Sequence, residues 1–200
     1  FIVAMGLWSN YFNELADLPN NMQEAFEMIM RNPLGIISVV IMAPIVEELL
    51  FRGAIQGHLL RKWKHPAGAI VLSSLIFGVV HGNWVQAPFA FVTGLALGWI
   101  YYRTGSLLPG ILMHFVNNSA AVASFLLADD PNATMVSTYG QTGAALMAAA
   151  GMVLTIICVL FIQKKLVPQP AVWHQPAQAE TIEIENNAPS SQAHSHDENI

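Results

Sequence analysis

LGIISVVIMAPIVEELLFRGAIQGHLL, residues 34–60, is the stretch that decides the fold class. A helix that crosses a bilayer needs about 20 predominantly apolar residues, and this run exceeds that. It is too long and unbroken for a barrel strand, which alternates over about ten residues. Yet it carries Glu47, Glu48 and Arg52 within six positions. A charge at the bilayer centre costs about 2.5–3.5 kcal/mol on insertion scales, so such groups usually face a protein interior and carry function. The stretch predicts a membrane helix with one face turned to a polar site.

Four further apolar runs follow, at residues 66–80 (continuing through His81), 85–102, 106–128 and 142–162. The expected fold is all-α, a polytopic transmembrane bundle of about five full spans within residues 34–165. Composition agrees: 54% of the 200 residues are hydrophobic and 10% charged, against roughly 25% charged in soluble domains. Upstream, residues 20–32 place Met22, Phe26, Ile29 and Met30 on one helical stripe. That pattern fits an interfacial helix, and equally a soluble loop helix. Residues 1–8 read as the end of an earlier membrane helix in a fragment, so residues 1–33 form an N-terminal region. Residues 166–200 are rich in Pro, Gln, Asn, Ala and Ser. Such a segment buries too little apolar surface to fold and is expected to be a disordered tail, with His194 and His196 solvated.

The net charge of −5 comes without a basic patch, which argues against a nucleic-acid partner. The single cysteine, Cys158, excludes an intrachain disulfide and a Cys-based metal cluster. Arg61, Lys62 and Lys64, then Arg103, then Lys164 and Lys165 occupy alternate joints. The joints between, residues 82–84 and 129–141, have no Lys or Arg. By the positive-inside rule the basic loops and tail are expected in the cytoplasm, and the acidic residues 14–27 opposite.

The ionisable groups within the spans are few. Span one has Glu47, Glu48 and Arg52, with His58 near its basic end; span two has His81; span four has His114, followed by Asn117 and Asn118. Glu48 and Arg52 lie four apart and share a helix face, as do Phe77 and His81, and His114 and Asn118. Glu47 points about 100° away from Glu48. Glu47 and His81 each lie roughly 20 Å from the joint between spans one and two, at about 1.5 Å per residue, so they can meet. Asn118 falls near the same level, and His114 one turn shallower.

Glu47-Glu48-Leu-Leu-Phe-Arg52 resembles the EExxxR motif of the CAAX-protease and bacteriocin-processing family, also called Abi. Phe77-Gly-Val-Val-His81 is similar to its FxxxH motif, and His114-Phe-Val-Asn-Asn118 to its HxxxN motif. Each motif alone is weak; three in order, each in an apolar span, are specific. The resemblance covers residues 34–127. It implies an intramembrane endopeptidase acting on a peptide or membrane-protein substrate, and the short loops without a soluble domain suggest a bacterial cytoplasmic membrane. Glu47 and His81 would activate water, and His114 with Asn118 would form the oxyanion hole. Glu48, Arg52 and Phe77 would support them.

A metal stays open. Family members have been described as metalloproteases, and Glu47, His81 and His114 could make a three-ligand Zn²⁺ site with one open position. No HExxH is present, and if Glu47 is a ligand Glu48 must be the base. A metal-free, glutamate-dependent mechanism uses all four groups without that demand and is the reading preferred. A serine protease would want GxSG in a span and an aspartyl one an intramembrane Asp; neither occurs. A proton-coupled transporter could also use buried Glu, His and Arg, but the chain lacks paired broken helices in repeated halves. A non-catalytic scaffold or immunity protein is the third class. Gly94 and Gly98 read as a close-packing pair, and Trp84, Trp99, Tyr101 and Tyr102 as interface anchors.

Overall fold

The structure, a computed structural model, describes residues 1–63, 65–127, 130 and 133–166. The expectations for Lys64, part of the 129–141 joint and nearly all of the tail lie outside the described residues. Those described form an all-helical membrane bundle. Its helices are α1 (Ile2–Ala16), α2 (Gln23–Met30), α3 (Pro33–Lys62), α4 (Pro66–Val80), α5 (Gln86–Thr104), α6 (Leu108–Leu127) and α7 (Met135–Lys165). α3, α6 and α7 are each long and apolar enough to cross a membrane. α4, with 15 residues, and the less apolar α5, with 19, occupy the other two expected positions.

Local chemistry sets the boundaries. The Asn32 side chain accepts the Leu34 N–H at 2.9 Å, and Pro33 takes the first helical position, where a missing N–H costs nothing. Arg61 and Lys62 close α3 where the helix dipole favours cations. α5 ends on Gly105 at φ 65°, a left-handed cap open to glycine. α7 begins seven residues before the expected span, because Thr134 and Ser137 form a reciprocal capping box. Gly140, at φ 69° and ψ 165°, kinks the helix near where the apolar run starts.

α3 is not a uniform α-helix. Two stretches, Ser38–Met42 and Glu48–Gln56, have π-helical i→i+5 bonding. Such widened turns occur often at functional sites. The second carries the EExxxR segment. The first ends two residues before Pro44, which has no N–H to bond a carbonyl one turn back.

Two close pairings hold the bundle. α4 packs on α5 through Gly78 and Gly94: a Cβ on Gly78 would meet the Ala87 carbonyl at 2.8 Å, and one on Gly94 would meet Ser74 at 3.0 Å. α1 packs along α7. There Trp8 Nε1 donates to Thr155 Oγ1 at 3.2 Å, and the Val136 N–H donates to the Glu14 carboxylate. The segment expected to be only a helix end at residues 1–8 is thus a helix reaching Ala16, docked on the last span. Tyr101, expected as an interface anchor, is instead buried with Leu60 and Ala69. Gly57 leaves room for its hydroxyl, since a Cβ there would lie 3.2 Å from it. The outward faces carry large apolar side chains such as Leu146, Val153, Ile157 and Phe161, as lipid requires.

Candidate active site

The residues of the three motifs converge. Glu47, Phe77, His81, His114 and Asn118 line one cavity of about 350 Å³, together with Val39, Ala43, Thr93 and Asn117. Val39, Ala43 and Glu47 are four apart on α3 and present one stripe to it.

His114 is held between the two glutamates. Its Nδ1 lies 3.2 Å from Glu48 Oε1, and its Nε2 lies 3.7 Å from Glu47 Oε2. The expected divergence of the neighbouring glutamates is visible: Glu48 is wholly buried, while the Glu47 side chain is 30% exposed and borders the cavity. Glu47 Oε2 has no hydrogen-bond partner, since 3.7 Å exceeds hydrogen-bond reach. It is a buried acceptor left without a donor.

Arg52 sits beneath. Its Nη1 is 3.1 Å from Glu48 Oε1, its Nη2 donates to the Gly94 carbonyl at 3.2 Å, and its guanidinium lies 4.4 Å from the centroid of the Phe77 ring. Phe77 gives the FxxxH segment a physical reason. Its ring meets Phe51, His81 and His114 edge-on at centroid distances of 5.0, 4.8 and 5.8 Å. Its carbonyl, among the last four of α4, lies 2.7 Å from His81 Nδ1. The His81 and Gly82 N–H groups go to the Gly78 and Val79 carbonyls, and the imidazole supplies a donor to that of Phe77. With Nδ1–H donating, His81 Nε2 is left as an acceptor.

Asn118 was expected beside His114 as an oxyanion donor. Its Nδ2 donates to the Val39 carbonyl at 2.9 Å, and its Oδ1 accepts from Asn117 Nδ2 at 3.2 Å. One N–H of the amide is thereby engaged on α3. For Zn²⁺ the fit is poor. Among the described residues, no three His, Cys, Asp or Glu side chains are placed to hold one metal ion.

Several contributors were missed by sequence reasoning. Gly110 lets α6 approach Glu48, because a Cβ there would sit 2.9 Å from Oε2. Gln56, one turn beyond Arg52, is fully buried; it donates to the Gly98 carbonyl at 2.8 Å and accepts from Ser73 Oγ at 3.1 Å. Its i+4 spacing from Arg52 in an apolar run was the available signal. Gly94 and Gly98 do pack closely, and they also offer their carbonyls to Arg52 and Gln56. Phe26, read on the apolar stripe of α2, also lines the cavity; Asn10 of α1 and Gln86 of α5 line it and carried no sequence signal.

Comparison with known proteins bears on the same segment. Residues 30–120 match the family model described as type II CAAX prenyl endopeptidase Rce1-like, a span that contains all three motifs. The chain is 32% identical over 102 residues to a Bacillus subtilis protein named "Putative membrane peptidase YdiL". It is 30% identical over 112 residues to the "Membrane-embedded CAAX protease MroQ" of Staphylococcus aureus. The matches cover 51% and 54% of this chain and 41% and 45% of those relatives, so it spans less than half the length of either. No solved structure matches.

Proposed function

We propose that this chain, whose residues 30–120 match the Rce1-like type II CAAX prenyl endopeptidase model, is a membrane endopeptidase whose Glu47 and His81 activate the attacking water. The observation that carries this reading is Glu47 itself. Its side chain lines the cavity and is 30% exposed, while its Oε2 is buried without a hydrogen-bond partner, 3.7 Å from a histidine whose far nitrogen is anchored by Glu48.

In the reaction, a water donates one hydrogen bond to the Glu47 carboxylate and one to His81 Nε2, the ring nitrogen left as an acceptor by the Phe77 carbonyl. Glu47 takes the proton as the water oxygen bonds to the peptide carbon. The carbonyl oxygen becomes an oxyanion and accepts from His114 Nε2–H and from the remaining N–H of Asn118. Collapse of the intermediate breaks the C–N bond, and the proton held by Glu47 passes to the leaving amine. No step requires a metal.

The basic ends of the helices lie in the cytoplasm in this reading. Arg103 Nη2 donates to the Gln163 carbonyl at 2.7 Å, which brings the end of α5 and the Lys164–Lys165 end of α7 to one side. The opposite side gathers the 20–21 and 82–84 turns, where Asn83 Nδ2 donates to Asn20 Oδ1 and Asn21 Nδ2 to the Gly82 carbonyl. The substrate is a peptide or membrane protein.

The test is cleavage of a broad set of apolar peptides, prenylated and not, by purified protein in detergent, with new termini read by mass spectrometry. Wild-type cleavage that survives a chelator and is lost in a folded Glu47→Ala variant is the expected result. Equal cleavage by both proteins refutes the role of Glu47, and loss with chelator refutes the metal-free mechanism.

A further inference from the structure

We infer that Pro44 is a positioning residue for the catalytic pair: by withholding an N–H, it leaves the Val39 carbonyl for Asn118 and so locks α6 to α3. In a regular α-helix the Val39 carbonyl would accept the N–H of residue 43. Here the Ala43 N–H reaches back five residues to the Ser38 carbonyl. The donor that would serve Val39 in the same i→i+5 pattern belongs to residue 44, and proline has none. Val39 is the carbonyl to which Asn118 Nδ2 donates, at 2.9 Å.

The consequence is geometric. Val39 and Glu47 are two helical turns apart on the cavity stripe of α3, and His114 and Asn118 are one turn apart on α6. Pinning Asn118 to Val39 fixes the register of the two helices at one point. A second point is Glu48, against which Gly110 and His114 pack. Between these two points Glu47 Oε2 and His114 Nε2 face each other. Pro44 is buried and touches no reacting atom in the proposed mechanism, so its contribution is to placement. Proline inside a helix is otherwise unfavourable. A purely structural role therefore predicts that replacing it raises stability and leaves turnover unchanged.

The inference rests on the proposed protease reading, and the experiment separates the two. Wild type, Pro44→Ala, Pro44→Leu, Asn118→Ala and the Pro44→Ala/Asn118→Ala double variant are assayed for kcat, KM and Tm, with Glu47→Ala alongside. Both proline variants restore the N–H at different side-chain volumes, so a shared effect belongs to the N–H, and either suffices if the other fails to fold. The expected result is Tm at or above wild type, kcat lower by about tenfold or more, as a displacement near 1 Å allows, and KM within about twofold. Asn118→Ala should lower kcat less in the Pro44→Ala background than in wild type, because the clamp is already released. Unchanged kcat in the proline variants, or equal Asn118→Ala losses in both backgrounds, overturns the inference while an inactive Glu47→Ala leaves the protease reading intact. A fully active Glu47→Ala overturns both.

Discussion

Removing the Arg52 charge alone should unfold the site, and removing the Glu48 charge with it should restore the fold. The Arg52 and Glu48 side chains are each about 1% exposed, with Nη1 and Oε1 3.1 Å apart. Arg52→Met strands a carboxylate in the bundle, and breaking a buried pair from one side costs about 3–5 kcal/mol. Glu48→Gln strands the guanidinium and should cost a similar amount. In the double variant no charge is stranded. The glutamine Oε1 can still accept from His114 Nδ1, its size still matches the space left by Gly110, and methionine still covers Phe77. Most of the loss should return, giving a coupling of about 3 kcal/mol or more in the double-mutant cycle. Equilibrium unfolding in mixed micelles, followed by tryptophan fluorescence, reads all four proteins. Additive losses within about 0.5 kcal/mol would refute the pair as a buried, mutually neutralising unit.

Other substitutions probe the same frame. Gly110→Ala would place a Cβ 2.9 Å from Glu48 Oε2 and push the carboxylate off His114; steady-state kinetics should show kcat lower by about 10–100-fold with little change in KM. Phe77→Ala removes a fully buried ring that touches Arg52, Phe51, His81 and His114, and should cost about 3–5 kcal/mol in unfolding measurements. Cysteines at Asn21 and Lys165, in a Cys158→Ala background, should label from opposite faces of right-side-out vesicles, with only Asn21→Cys reached by an impermeant reagent. Equal labelling of both would contradict the proposed topology.

Much of this was legible in the sequence because lipid leaves few choices. An apolar run longer than a bilayer is wide becomes a helix, and Glu47, Glu48, Arg52, His81 and His114 stand out as groups that hydrocarbon does not solvate. The i, i+4 rule located the Glu48–Arg52 pair, which the structure places at 3.1 Å. What spacing cannot supply is contact between helices distant in sequence. That Asn118 donates to a backbone carbonyl depends on widened turns in α3, and no residue pattern announces a π-turn. Gly110 reads as an ordinary small residue until α6 is seen against Glu48. Tyr101 was read as an interfacial aromatic, yet Gly57 on α3 opens the space that buries it. The docking of α1 on α7 likewise joins segments more than 120 residues apart, through Trp8 with Thr155 and Glu14 with Val136.

The measurement closest to the central claim is single-turnover cleavage by wild type and Glu47→Gln, matched for fold and detergent. Glutamine keeps the size of Glu47 and cannot take the proton of a water, so general-base catalysis predicts a rate lower by about 10²–10⁴-fold with peptide binding retained. A Glu47→Gln protein that cleaves at the wild-type rate would contradict the account.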